Sequence, residues 1–326
     1  MNKLLLLLFI VCSTHIYSQI NIRSDFKDKD FEYFKKTKTI VVIPSELEEE
    51  DFKKIFSELW NVTPYEFVSQ ETFKENENAY KKNNNSVFKL NKNIYAKGKR
   101  NIATGESRQT GEIINFSFRL YTYKKKNKKK HYRYTIANIF FSPTIKYRTE
   151  VVYGSGRKGT FGEKINKKKI NNNDEESGFY TFKIGYIKNF IRILNDRLVN
   201  NDIYSLRDDY VNKNTIKNLK TKTLYAPDWI LRRYAPKSST LKKISIPEEF
   251  FEDYDYEYKV ISDDELNSKI LEGEPIYYLL HTQFNAQKVF AIIDAKNSKY
   301  VFVYNGVFSY NVKSSDFKKL NKAISK

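Results

Sequence analysis

The residues best suited to chemistry in this sequence are a run of lysines with tyrosines on both sides. The run occupies residues 124–130. Lysine ammonium groups neutralise phosphates, and tyrosine rings stack on bases or sugars, so this pattern predicts polyanion binding. The candidate anion-binding residues are Lys124, Lys125, Lys126, Lys128, Lys129, Lys130 and Arg133, and the candidate stacking residues are Tyr121, Tyr123 and Tyr132.

The same run has a second interpretation as the solvated tip of a β-hairpin. Residues 113–123 and 131–141 alternate between apolar and polar side chains, which predicts the two strands of a long hairpin. Lysines at such a tip keep a long edge strand from pairing with other chains. We favour this structural interpretation and keep polyanion binding as an alternative function.

A cluster of carboxylates lies at Asp263, Asp264 and Glu265. Paired carboxylates can perform acid–base catalysis or bind a metal. Here they follow Ser262, and a serine followed by acidic residues is typical of a helix N-terminus, where the hydroxyl caps the helix and the charges meet its dipole. The pattern therefore favours a structural role.

Other catalytic signals are weak. Beyond the first 18 residues the only histidines are His131 and His281, whereas a zinc site or a catalytic triad needs several convergent side chains. The sequence has no HExxH or GxSxG string, and the glycine-rich residues 154–159 place their lysine wrongly for a phosphate-binding loop. We predict no catalytic residue, no cofactor and no metal.

The elements that would position these residues begin with a buried strand at residues 40–43. Ser45-Glu46-Leu47-Glu48 then predicts a capped helix, and Ser69 predicts the start of another. Residues 76–111 are polar and predict irregular chain, with one short strand near residues 87–90. A further strand is expected over residues 145–153.

The second half contains clear local signals. Apolar residues at helical spacing from Ile187 to Leu198 predict a helix that links the two halves, and residues 205–219 predict another helix. Asn305-Gly306 predicts a two-residue hairpin turn. Residues 316–324 predict a short amphipathic helix.

Two pairs of similar strings indicate an internal duplication. Residues 36–44 resemble residues 220–227, and residues 65–73 resemble residues 258–266. The predicted fold class is α+β, with two diverged β-α-β repeats that each end in an antiparallel meander and are linked by helices. The predicted domains are residues 19–178 and 221–326, with a helical linker over residues 179–220.

The first 18 residues predict a secretory signal peptide. Lys3 precedes an apolar run, and Ser18 is a small residue at the expected cleavage point. Lipidation at Cys12 is an alternative, although Phe9-Ile10-Val11 lacks the small residue that such sites favour. We therefore expect a periplasmic or extracellular protein.

Composition limits the function classes further. The content is 40% hydrophobic and 16% aromatic, which favours a folded chain. The net charge of +19 either attracts polyanions or reflects a general abundance of lysine, and we favour the second explanation. No segment after the signal peptide is long and apolar enough to predict a membrane span, so an integral membrane protein is not expected.

The second half resembles the small α+β domain at the amino terminus of the TolB periplasmic protein. The residues that carry this resemblance are Val260, Ile261, Ser262, Glu265, Tyr277, Leu279, Ile292 and Asp294. The resemblance implies a fold and an envelope location but no activity, and the β-propeller of a full TolB-like protein does not follow here.

These observations predict a non-enzymatic secreted or periplasmic envelope protein that acts as a scaffold or protein-binding module. An envelope protein is the expected partner. The alternatives are a polyanion-binding protein that uses residues 124–130, and a hydrolase with an unrecognised site where polar groups of both halves converge.

Overall fold

The computed structural model describes residues 19–23, 25–82, 84–100, 107–127, 130–144, 178–203, 209–235, 240–284, 287–307 and 311–326. The helices are α1 (Asp28–Lys35), α2 (Glu49–Leu59), α3 (Gln70–Lys82), α4 (Ile184–Val199), α5 (Pro247–Phe250), α6 (Asp263–Glu272) and α7 (Ser314–Ser325), with 3-10 turns at Ile216–Lys220 and Asp228–Leu231. The strands are β1 (Ile20–Ile22), β2 (Lys38–Val42), β3 (Tyr65–Val68), β4 (Asn85–Arg100), β5 (Ser107–Asn127), β6 (Lys130–Pro143), β7 (Phe179–Tyr180), β8 (Tyr210–Val211), β9 (Leu224–Pro227), β10 (Arg232–Ala235), β11 (Thr240–Ile244), β12 (Tyr258–Ile261), β13 (Tyr277–Phe284), β14 (Gln287–Asp294) and β15 (Lys299–Val307).

Two mixed sheets of matching topology form the framework, and the fold class is α+β as predicted. The first sheet has the order β3-β2-β4-β5-β6-β1, with β7 beside β6, and the second has the order β12-β9-β13-β14-β15-β8. In each sheet the first three strands of that order are parallel. The remaining pairs are antiparallel. A common origin of the two halves remains a prediction, although this match agrees with it.

The second pair of similar strings does not occupy equivalent positions. Tyr65 packs against the core that both halves share, whereas Tyr258 packs on the other side of its sheet. Because side chains alternate between the faces of a strand, an offset of one residue separates the two strings.

One apolar core joins the two halves. It contains buried residues of α1, α2, α4 and α6 together with residues of both sheets. Helix α4 packs on α2 of the first half and on α6 of the second. The outer face of the first sheet is covered by α3 through Phe73, and the outer face of the second is covered by α7 through Phe317. The helix predicted as a linker thus lies in the shared core.

Several local predictions are confirmed. The long hairpin forms from β5 and β6, and residues 187–198 lie inside α4. Ser69 Oγ accepts a hydrogen bond from Thr72 N at 3.1 Å, and Ser262 Oγ accepts one from Glu265 N at 3.1 Å. Residues 316–324 lie within α7, which buries Phe317, Leu320 and Ile324.

Three predictions about the course of the chain are wrong. Helix α2 begins at Glu49, so the string from Ser45 to Glu48 is not its capping box. Residues 76–82 form the end of α3 and residues 85–100 form the long strand β4, because pairing with β5 supplies hydrogen bonds that a polar sequence does not reveal. Residues 216–220 form a 3-10 turn instead of the end of a helix over residues 205–219.

Gly306 does not form a hairpin turn. Asn305 and Gly306 continue β15, where they pair with Val289 and Lys288 of β14. A Cβ atom at position 306 would lie 2.8 Å from Lys288 Cε and 2.9 Å from its Cγ. The glycine is therefore explained by the lysine side chain that crosses it. The strand predicted over residues 145–153 and the loop at residues 154–159 lie outside the described residues, as does the signal peptide.

Candidate interaction surfaces

The described cations of the long hairpin are engaged within the protein. Lys124 Nζ lies 2.7 Å from Asp30 Oδ1 and 3.5 Å from the centroid of the Tyr134 ring. Arg133 Nη2 lies 2.6 Å from Glu77 Oε1. These contacts tie the hairpin to α1 and α3, so neither cation is available to a polyanion without breaking an ion pair.

The three tyrosines predicted to stack on a ligand divide into two groups. Tyr121 and Tyr123 are buried with Phe73 and Tyr80 of α3, whereas Tyr132 is 44% exposed. Lys128 and Lys129 lie outside the described residues, as do the side chains of Lys125, Lys126 and Lys130. Polyanion binding by this hairpin stays a prediction, with Tyr132 as its accessible ring.

The contact between Arg133 and Glu77 makes stability depend on pH. Burial opposes ionisation of Glu77, but the hydrogen bond and charge of Arg133 outweigh it, so the pKa of Glu77 lies below its ordinary 4.5. A carboxylate of lowered pKa stabilises the fold at higher pH and loses this effect as pH falls below about 4.5. We expect the melting temperature of Glu77→Gln to fall less than that of the wild type between pH 6 and pH 3. Equal changes in melting temperature for the two proteins over this pH range would show that the pair of Arg133 and Glu77 contributes nothing to stability.

Asp263 joins three parts of the chain. Its Oδ1 accepts hydrogen bonds from Tyr186 OH at 2.7 Å and from Trp229 Nε1 at 2.9 Å, and Lys183 Nζ lies 3.2 Å from its Oδ2. Burial, reinforced by the charge of Asp263, raises the pKa of Tyr186 well above its ordinary value, so the hydroxyl keeps its proton and donates. Asp263 thus lies in the first turn of α6, as predicted, and it also contacts three residues that are distant in sequence, which the pattern does not indicate.

The two histidines lie apart from any catalytic cluster in the described chain. His281 Nδ1 is 3.2 Å from Val289 O, and His281 borders a cavity of about 30 Å³ beside Trp229. This cavity receives polar residues from both halves but has room for only a water or two. His131 is half-buried on β6. Among the described residues, no group of three or more His, Cys, Asp or Glu side chains is arranged to hold a metal ion.

Strand β11 presents an unusual apolar surface. Among the described strands, β10 and β11 pair only with each other. Leu241 is 45% exposed, Ile244 59% and Ile246 57%. We call Leu241, Lys242, Lys243, Ile244 and Ile246 the β11 surface. Large aliphatic groups gathered on one exposed segment usually mark a site of interaction.

A β-bulge brings these aliphatic side chains to one face. Tyr234 pairs with Leu241 and Arg233 with Lys243, so the register shifts at Lys242. The extra residue places Leu241 and Ile244 on the same side despite their odd spacing. Ser245 is buried and Ile246 has an extended backbone, so Ile246 continues on the outer side after Ile244. Sequence analysis missed this surface because the spacing fits neither a helix nor a regular strand.

The sequence and the fold of this chain can be compared with those of known proteins. No protein-family model matches the chain, and no match was found among curated proteins or solved structures. In the described part of the chain, no helix combines the length and the apolar character needed to cross a bilayer. Function must therefore be argued from the surfaces themselves.

Proposed function

We propose that the protein is a non-enzymatic secreted or periplasmic binding protein, and that the β11 surface is the docking site of a partner protein. The observation that carries this proposal is the exposure of two aliphatic side chains on β11, and of a third just after it, where the outer edge of the strand has no described partner. A two-stranded sheet is marginally stable by itself. A third strand supplied by a partner would satisfy its free main-chain groups.

The charge of this edge favours an extended, acidic segment as the occupant. Lys242 and Lys243 are exposed; Lys243 Nζ lies 2.7 Å from Glu249 Oε2, whereas Lys242 forms no ion pair with another described residue. Against a second copy of the same strand, these lysines would repel one another, and lysine on an edge strand is a common means of preventing such pairing. A segment with alternating carboxylates and apolar side chains would complement both the free charge of Lys242 and the aliphatic face.

A photo-crosslinking experiment tests this proposal. Benzoylphenylalanine at Ile244 or Ile246 should give the same single protein adduct in the producing cells, and mass spectrometry should map it to a carboxylate-rich segment. Leu271, which is 38% exposed, supplies a matched control site that should give none of this adduct. The synthetic peptide of the mapped segment should bind the wild-type protein and bind Lys242→Glu more weakly.

Other outcomes of this experiment would overturn the proposal. An adduct between two copies of the chain would assign the surface to self-association. Capture of lipid, or the same set of adducts from position 271, would show that the aliphatic groups have no specific protein partner.

Polyanion binding through the long hairpin is the second candidate, because Tyr132 is exposed beside the lysine run. It predicts that salt strongly weakens polyanion binding, and that binding is lost when Lys125, Lys126 and Lys130 are replaced by glutamine. The hydrolase alternative has little support from the described residues around His281, since the cavity there is too small for a substrate.

A further inference from the structure

A cleft of about 530 Å³ opens beside the second sheet, between α7 and the 3-10 turn at residues 216–220. Its floor is apolar. Phe302 and Val211 are directly opposed on neighbouring strands, and Ala323 of α7 completes the lining. Volumes of this size with an apolar floor are typical of sites for small molecules.

Lysine side chains stand on both walls of this cleft. They are Lys213 and Lys217 on one wall and Lys319, Lys322 and Lys326 on the other. In the described part of the chain none of them forms an ion pair with a carboxylate. One acid, Asp209, also lines the cleft, and its Oδ1 accepts a hydrogen bond from Asn305 N at 3.1 Å. Positive charge therefore exceeds negative charge around an apolar floor.

One of these ammonium groups has a fixed place. Lys319 Nζ lies 3.3 Å from the centroid of the Tyr304 ring, in a cation–π contact. The contact places one positive charge beside the floor of the cleft, on a side chain that is exposed. Lys322 is three residues further along α7 and lies on the same face of the helix. Both ammonium groups can therefore approach the same anionic group of a ligand.

We propose that this lysine cleft binds an amphipathic anion, a molecule with an apolar body and one carboxylate or phosphate head. The body would cover Phe302, Val211 and Ala323, which offer no side-chain hydrogen-bonding group. The head would meet Lys319, Lys322 and Lys217, where charge-assisted hydrogen bonds are stronger than neutral ones. The site is separate from the β11 surface, so either proposal can fail without the other.

Displacement of a fluorescent probe from the full chain tests this assignment. 1-Anilinonaphthalene-8-sulfonate carries both an aromatic body and an anionic group, and we expect its emission to rise on binding. Octanoate should displace it, whereas octanol and inorganic phosphate at the same concentration should not. The first control lacks the charge and the second lacks the apolar body.

Matched variants separate the cleft from general basicity. The triple variant K217Q/K319Q/K322Q should weaken octanoate binding by at least about tenfold, because contacts with charged groups are lost. The triple variant K29Q/K54Q/K259Q removes the same charge from exposed positions elsewhere and should bind as the wild type does. Ile244→Ser should also leave displacement unchanged, which excludes the β11 surface as the probe site.

Each contrary result has a clear meaning. Equal displacement by octanol would show an apolar cleft without anion selectivity, and equal displacement by phosphate would show a simple charge effect. Equal weakening in both triple variants, or no probe binding by the folded wild type, would likewise overturn the assignment.

Discussion

Replacement of Lys288 by methionine should destabilise the protein by about 3–5 kcal/mol, because it leaves a buried carboxylate without its partner. Lys288 and Asp316 form an ion pair in which the side chains are 2% and 6% exposed. Lys288 Nζ also donates to Asn311 O at 2.9 Å, and Asp316 Oδ2 accepts from Lys313 N at 2.8 Å. The pair thereby fastens the start of α7 to β14.

Urea unfolding at pH 7 measures this effect, and two further variants make it specific. The double variant K288M/D316L should recover much of the lost stability, since it removes both buried charges. Lys53→Met breaks an exposed pair with Glu49 and should cost less than about 1 kcal/mol. Equal losses of stability in K288M and K53M would show that the buried ion pair stabilises the fold no more than an exposed pair does.

Burial of Lys288 also affects its pKa and restricts the residue that lies opposite it. Burial lowers the pKa of Lys288 even though Asp316 opposes the shift. The side chain is also held against Gly306, which explains why that position in β15 has no Cβ. An amino acid string can suggest a turn at Asn305-Gly306, but only the register of β14 and β15 reveals the contact that excludes a larger residue.

Elements with strong local patterns were predictable from sequence. The spacing of apolar residues in α4 and α7, and the capping serines of α3 and α6, act over a few residues and were identified correctly. Gly273, with a left-handed φ of +76°, ends α6, as a glycine at this position of a helix commonly does. Such signals need no knowledge of the rest of the chain.

Features that depend on distant contacts could not be predicted in this way. Tyr121 and Tyr123 looked available for stacking, but α3 covers them, and the full extent of α3 was not evident from its polar sequence. The common face of Leu241 and Ile244 depends on a bulge opposite Arg233 and Tyr234. In each case a register or a packed helix, and not a local string, decides whether a side chain is exposed.

Removal of the Asp263 carboxylate should produce the second large effect. Asp263→Ala leaves the buried hydroxyl of Tyr186 and the indole N–H of Trp229 without their acceptor. An unsatisfied buried donor costs about 1–3 kcal/mol, so the two together should lower the free energy of unfolding by about 2–6 kcal/mol. Asp263→Asn keeps an acceptor oxygen and should cost less, although it loses the charge that faces Lys183.

Asp264→Ala is the matched control for this prediction, because Asp264 is the adjacent residue and is largely exposed beside the same lysine. It should cost less than about 1 kcal/mol. The comparison matters for function as well as stability, since Trp229 lies just before β10 and anchors the base of the short hairpin that carries the β11 surface. If Asp263→Ala is strongly destabilising while Asp264→Ala is not, the Asp263 carboxylate adds substantially to the apolar packing that joins α4, α6 and this hairpin. If the two variants lose the same stability, the shared apolar core alone holds the halves together, and Asp263 acts only as an ordinary acid at a helix N-terminus.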